Sequence, residues 1–163
     1  MRVLIQALSS NHDRKSFDCG VVTLNNWLAQ MANQHQAKGF ARTFVAVDSA
    51  VPDKILGYYA LASAHIMSES LADNHKLPRI IPAVRLGRLA IDRRVQGIGM
   101  GAALLVDALT RIRDDIAPTI GVHSVFVDAV NEHAANFYQK FGFTRSPGNP
   151  LLLALPIASI PLP

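Results

Sequence analysis

The chain has one cysteine, Cys19, among 163 residues, so an internal disulfide is excluded and a reducing compartment is implied. Cys19 lies in an Asp-Cys-Gly turn ahead of an expected helix, with no motif pairing it to a histidine. It reads as a small, partly buried residue rather than a nucleophile. No apolar run approaches the roughly 20 residues that span a bilayer, because the longest ones are broken by Gly, Pro or Arg. Residues 1–8 are too short an apolar stretch for a signal peptide, and polar residues follow in place of a small-residue cleavage site. A cytoplasmic protein without a membrane span is expected. The histidines His12, His35, His65, His75, His123 and His133 show no metal-ligand spacing, and no Cys-x-x-Cys occurs, so no metal is expected. There is no internal repeat or low-complexity tract. With 50% hydrophobic residues, the whole chain, 1–163, is expected to form one domain with a substantial core.

What is present is a glycine-rich segment. Leu86-Gly87-Arg88-Leu89-Ala90-Ile91 has the look of a buried strand, Asp92 to Gln96 form a short basic link, and Gly97-Ile98-Gly99-Met100-Gly101-Ala102 open a helix. Glycines let backbone amides approach an anion, and a helix N-terminus adds unsatisfied N–H groups and partial positive charge. This is the form of a pyrophosphate cradle. Gly97, Gly99 and Ala102 also fit G-x-G-x-x-A, but a Rossmann turn follows its strand directly. A Walker loop fails because no Gly-Lys-Ser/Thr follows the glycines.

The cradle resembles the acetyl-CoA loop of the GCN5-related N-acetyltransferase (GNAT) superfamily, Arg/Gln-x-x-Gly-x-Gly/Ala, read here as Gln96-x-x-Gly99-x-Gly101 or, two residues earlier, Arg94-x-x-Gly97-x-Gly99. Further segments are similar to one branch of it, the type II toxin-antitoxin toxins that acetylate aminoacyl-tRNA. They are Phe17-Asp18-Cys19-Gly20, Leu24-Asn25-x-Trp27-Leu28, Leu56-Gly57-Tyr58-Tyr59-Ala60-Leu61, the strand ending at Asp92, and Asn131 through Phe137-Tyr138 to Gly142-Phe143. The resemblance runs from about Asp13 to Pro147. It implies a mixed α/β (α+β) GNAT fold with a central, mostly antiparallel sheet flanked by helices. It also implies acetyl-CoA as co-substrate, aminoacyl-tRNA as acceptor, a ribbon-helix-helix antitoxin and a homodimer.

Patterning places the elements. Thr23 is expected to cap a helix over residues 24–38, with Leu24, Trp27, Leu28 and Met31 on one face and Gly39 ending it. Strands are expected over 42–47 and 54–64, joined as a hairpin, then a long loop over 67–82. A central strand over 84–91, a helix over 99–116, a strand over 122–129 and a helix over 134–141 follow. Strands near 143–145 and 151–155 close the list, and Pro156, Pro161 and Pro163 make the tail irregular.

Acetyl transfer to an amine requires a neutral nucleophile, stabilisation of an oxyanion and an acid for the departing thiolate. The resemblance assigns the cofactor to Leu89, Ala90, Ile91, Gln96, Gly97, Ile98, Gly99, Met100, Gly101, Ala102 and Asn131, with the strand amides near Leu89 and Ile91 polarising the thioester carbonyl. Asn131 also suits the cap of the following helix. Tyr138, read alone, is a core residue with a satisfied hydroxyl; the resemblance makes it the acid. Residues 84–91 hold no carboxylate to act as base. That favours an α-amine, with a pKa near 7.7 to 8.0, over a lysine near 10.4, although Asp128 or Glu132 acting through water would serve a lysine.

Sixteen Lys and Arg against twelve Asp and Glu give a net charge of +4. Arg79, Arg85, Arg88, Arg93 and Arg94 cluster in sequence around the loop, which suits phosphates of CoA or of a nucleic acid as well as a solvated basic face. Arg85, Arg88, Arg93 and Arg94 are the candidate tRNA contacts. Two other readings remain: a GNAT enzyme acting on a small-molecule amine such as a polyamine or antibiotic, or on a protein N-terminus, and a chain that acts chiefly by binding a repressing antitoxin.

Overall fold

A computed structural model describes residues 1–161; Pro163, part of the expected irregular tail, lies outside the described residues. The elements are β1 (Val3–Ala7), α1 (Val22–Gln30), α2 (Ala32–Lys38), β2 (Arg42–Asp48), β3 (Val51–Met67), β4 (Ile80–Ile91), α3 (Met100–Arg111), β5 (Ser124–Asp128), α4 (Glu132–Lys140), β6 (Thr144–Ser146) and β7 (Asn149–Pro156). The strands hydrogen-bond in the order β1-β2-β3-β4-β5-β7-β6, a mixed, mostly antiparallel sheet accompanied by helices. No described helix is long and apolar enough to cross a membrane. The chain divides into two compact units, Met1–Ala62 with Gly87–Ala108, and Ser63–Leu86 with the described residues from Leu109 onward.

In the first unit β1, β2 and β3 form an antiparallel meander, with Val3 opposite Asp48 and Phe44 opposite Tyr59. The hairpin expected from sequence is present. Apolar side chains from alternating strand positions and one face of α1 meet in a core of Phe17, Trp27, Leu28, Val45, Val47, Ile55 and Tyr58. Trp27 stacks on Tyr58 at 6.0 Å, and the Tyr58 hydroxyl donates to the Leu24 carbonyl at 2.7 Å. The phenol therefore anchors the helix as well as filling space. Gly57 is required by packing: a Cβ there would lie 2.8 Å from Leu104 Cδ1 and 3.1 Å from the Ala90 carbonyl oxygen.

Two expectations need correction here. Thr23 does not cap; the helix starts at Val22 behind Val21, without a side-chain cap. The expected single helix is interrupted at Met31, where φ of −114° separates α1 from α2. Gly39 ends α2 as expected, with φ of +78°. The first strand, β1, carried too little alternation to be expected.

In the second unit β5 and β7 pair antiparallel over Ser124–Asp128, and β6 adds to β7. Ile66, Leu71, Ile81, Ala83, Phe126 and Ala154 form its core. The expected loop over 67–82 is shorter than read, because Ser68–Ser70 form a 3₁₀ turn and β4 begins at Ile80. The helix read to residue 116 ends its α-helical part at Arg111, and a π turn over Ile112–Ile116 follows, closed by the Ala117 amide donating to the Ile112 carbonyl at 2.9 Å.

Candidate active site

The glycine loop forms where β4 ends. Arg93–Val95 make one 3₁₀ turn, after which Gly97 and Gly99 take φ of +79° and +87°. An L side chain pays about 1–2 kcal/mol for that conformation, so both glycines are requirements of the backbone. A Cβ at either position would meet nothing within 4 Å. The space beside the turn is open. Helix α3 begins at once with buried Met100, followed by half-buried Gly101 and Ala102, and its first turn contains no acidic residue. The Ala103 amide makes the first helical bond, to the Gly99 carbonyl at 3.1 Å. Amides ahead of it have no partner four residues back, which suits a pyrophosphate. Ile98, between the glycines, is exposed.

Leu89, Ala90 and Ile91 are the last residues of β4. Parallel pairing with β5 runs only from Ala83 opposite Ser124 to Arg85 opposite Phe126, although β4 is 12 residues long. The strand amides assigned to the thioester lie beyond that pairing.

The root of the loop is tied by hydrogen bonds. Asp92, 2% exposed, accepts from the Arg94 amide at 3.0 Å, Arg94 Nε at 2.8 Å, Arg94 Nη2 at 2.9 Å and the Asp18 amide at 3.1 Å. Burial raises the Asp92 carboxyl pKa, but these donors outweigh burial and hold it down at about 2. Gln96 Nε2 donates to the Cys19 carbonyl at 3.1 Å and to the Ile91 carbonyl at 2.8 Å. Burial pushes the Cys19 thiol up, consistent with an inert residue.

The four candidate arginines have distinct settings. Arg94 chelates Asp92, Arg93 Nε lies 3.7 Å from Asp18 Oδ2, and the Arg88 guanidinium sits 4.2 Å above the Trp27 ring. All three belong to the first unit. Arg85, in the second, lies 3.5 Å from Asp128 with both side chains about half exposed.

The second unit carries Asn131 and Tyr138 on one helix. Asn131 caps α4, its Oδ1 accepting from the Ala134 amide at 2.9 Å. Tyr138 is 8% exposed and packs against Phe137 at 5.3 Å and Phe143 at 5.6 Å. Among the described residues nothing hydrogen-bonds its hydroxyl, and burial pushes the phenol up to about 12. The ring is buried while the hydroxyl is not counted among the buried unpartnered polar atoms of the described residues, and the phenol stays protonated at neutral pH. The carboxylates named above as alternative bases are engaged: Glu132 receives both Arg145 Nη1 at 3.0 Å and Nη2 at 2.6 Å, and Asp128 faces Arg85. Sequence reading missed Asp92, Asp18 and Asn25 as a group, although the Asp-x-Arg spacing after the strand was the available signal.

The pattern of the acetyltransferase (GNAT) domain matches residues 17–152. A tRNA-acetylating toxin of Mycobacterium tuberculosis is 34% identical over 150 residues, covering 91% of this chain and 88% of that protein. The structure is similar to that of AtaT complexed with acetyl-methionyl-tRNAfMet, with a TM-score of 0.90, 32% identity and coverage of 98% of this chain and 97% of that one. It is also similar to a tyrosine-to-phenylalanine mutant of the AtaT toxin bound to the C-terminus of the antitoxin AtaR and acetyl-CoA, with a TM-score of 0.80, 33% identity and coverage of 97% and 95%.

Proposed function

The chain belongs to the GNAT acetyltransferase family, and from that premise we propose that it is a toxin that transfers acetyl from acetyl-CoA to the α-amino group of an aminoacyl-tRNA and so blocks translation. The observation that carries the cofactor assignment is the turn at Gly97 and Gly99 leading into an acid-free helix N-terminus. The acceptor assignment is supported by similarity over 91% of the chain to a tRNA-acetylating toxin and by the tRNA complex of AtaT.

In this reading the amides of Gly97 to Ala102 hold the pyrophosphate, and those of Leu89 to Ile91 hold the pantetheine arm and stabilise negative charge on the thioester oxygen. The α-amine lone pair attacks the carbonyl carbon, the C–S bond breaks, and the amine loses its proton. Tyr138 donates its proton to the departing thiolate. A phenol is a weaker acid than a thiol, so the thiolate takes the proton as the amine's proton becomes available to replace it. Because an α-amine is partly neutral at pH 7, no carboxylate base is needed before attack, and the proton the nitrogen loses afterwards passes to Tyr138, which has given its own to the thiolate.

Arg85, Arg88, Arg93 and Arg94 are proposed to favour the tRNA backbone. The partners are proposed to be a ribbon-helix-helix antitoxin and a second copy of the chain, in the cytoplasm, with one enzymatic domain formed by the chain and no metal in the reaction.

The test is transfer of labelled acetyl from acetyl-CoA to a pool of charged tRNAs. Label on one or a few aminoacyl-tRNAs supports the reading and names the substrate. Bound acetyl-CoA without labelled tRNA would redirect the search to small amines or protein N-termini.

A further inference from the structure

Three side chains around the loop are turned toward protein partners. Gln96 and Arg94 occupy the first position of the two motif registers, yet both hydrogens of Gln96 Nε2 go to the carbonyls of Cys19 and Ile91, and Arg94 grips Asp92 through Nε and Nη2. Asp92 in turn takes the Asp18 amide, while the Arg93 amide donates to the Asp18 carbonyl at 2.8 Å. Asp18 Oδ1 accepts from the Gly20 amide at 2.9 Å and from Asn25 Nδ2 at 3.0 Å, and Asn25 Oδ1 receives the Cys19 amide at 2.8 Å. Gly20 has φ of +87°, and a Cβ there would come within 3.2 Å of Arg93 Nε. Two chain segments separated by more than seventy residues are thus joined at both main chain and side chain.

We propose that Asp92, Arg94 and Gln96 are positioning residues for acetyl-CoA, clamping the root of the glycine loop to the turn at residues 18–20 so that the amides of Gly97 to Gly101 are preset for the pyrophosphate. The inference rests on the loop being the acetyl-CoA site. It moves Arg94 from the tRNA contacts to the cofactor loop, and gives Gln96 a role through its side chain that is distinct from ligand contact. The physical basis is that an anion cradle of backbone amides binds well only when its geometry is fixed beforehand. Four donors on one buried carboxylate, together with a bridging amide, fix it.

The experiment is calorimetric titration with acetyl-CoA alone, with no tRNA present, on the full chain and on Asp92→Asn, Arg94→Gln and Gln96→Leu. Tyr58→Phe serves as control, because it removes a buried hydrogen bond in the same unit without touching the loop. The variants are expected to weaken acetyl-CoA binding by about 10- to 100-fold, to raise KM for acetyl-CoA while kcat at saturation changes little, and to speed amide exchange at Gly97 and Gly99. Gln96 is exposed, so Gln96→Leu keeps the test open if Asp92→Asn fails to fold. Folded variants that bind acetyl-CoA like the native chain, or no worse than Tyr58→Phe, would overturn the clamp. Unchanged acetyl-CoA binding with weakened tRNA binding in Arg94→Gln would return Arg94 to the tRNA surface. A native chain that does not bind acetyl-CoA would overturn the loop assignment itself, a result distinct from either.

Discussion

At the scale of single residues, Tyr138 and Asp92 show how burial produces opposite outcomes. The Tyr138 ring is buried beside Phe137 and Phe143, and burial raises its pKa to about 12. Asp92 is buried more completely, but its donors overcome desolvation and its pKa falls to about 2. The first group is a reservoir for one proton at neutral pH; the second is a fixed charge. Tyr138→Phe removes the proton while keeping the ring and its packing. It is expected to lower turnover by about 100- to 10,000-fold with acetyl-CoA binding and melting temperature nearly unchanged, and a variant of near-native turnover would remove Tyr138 from the mechanism. For Asp92 the folded pKa lies below the ordinary 3.8, so its contribution to stability is fully present above about pH 4 and disappears as pH falls through about 2. A shift of this size corresponds to about 2 kcal/mol. Acid unfolding of the native chain is therefore expected to be steeper across this window than that of Asp92→Asn. Equal slopes would mean that Asp13, Glu132 and the other carboxyls of lowered pKa account for the acid limb instead.

At the scale of elements, the loop and its helix form a unit whose proposed function depends on two φ angles. Gly99→Ala forces a Cβ into the left-handed region at φ of +87°, expected to cost about 1–2 kcal/mol either as lost stability or as a relaxed turn. Space does not oppose the new methyl, so the turn relaxes and acetyl-CoA affinity falls; calorimetry on Gly99→Ala checks this, and unchanged affinity would show that the turn does not need its positive φ to bind. The glycine loop was legible in the sequence because a glycine pattern reports backbone conformation directly. The same holds for Gly39, which ends α2, and for Asn131, which caps α4. Elements fixed by long-range partners were not legible. Thr23 fits a cap by local pattern, but Asn25 organises that region by bonding back to Asp18 and Cys19. The start of β4 at Ile80 is hidden in the sequence by Pro82, which breaks the strand pattern two residues later. The Asp92 clamp is half legible: the Asp-x-Arg spacing signals the Arg94 donors, but the Asp18 amide comes from 74 residues away and no local pattern announces it.

At the scale of the whole molecule, the charge balance of sixteen basic against twelve acidic residues is too small to bind nucleic acid by itself, so placement of the cations decides. The structure sorts the candidate arginines by how firmly each is engaged. Arg94 is held by a buried carboxylate and Arg88 lies over Trp27, whereas Arg85 and Arg93 face exposed carboxylates at 3.5 and 3.7 Å. Exposed pairs of that kind contribute little to stability, so these two side chains can exchange a carboxylate for a phosphate at small cost. Arg93 adjoins the Asp18 turn, and reversing its charge would set two acids together at the loop root and disturb acetyl-CoA as well. Arg85→Gln is the cleaner probe, because it removes the charge without setting a second acid against Asp128. It is expected to weaken tRNA binding, to lower the slope of log K against log salt by about one per lost phosphate contact, and to leave acetyl-CoA affinity and melting temperature near native values. Binding to tRNA measured across a salt series reads all of this at once. A native slope near zero would mean that the acceptor is held by contacts other than phosphates, and the basic residues beside the loop would then act on the pyrophosphate alone.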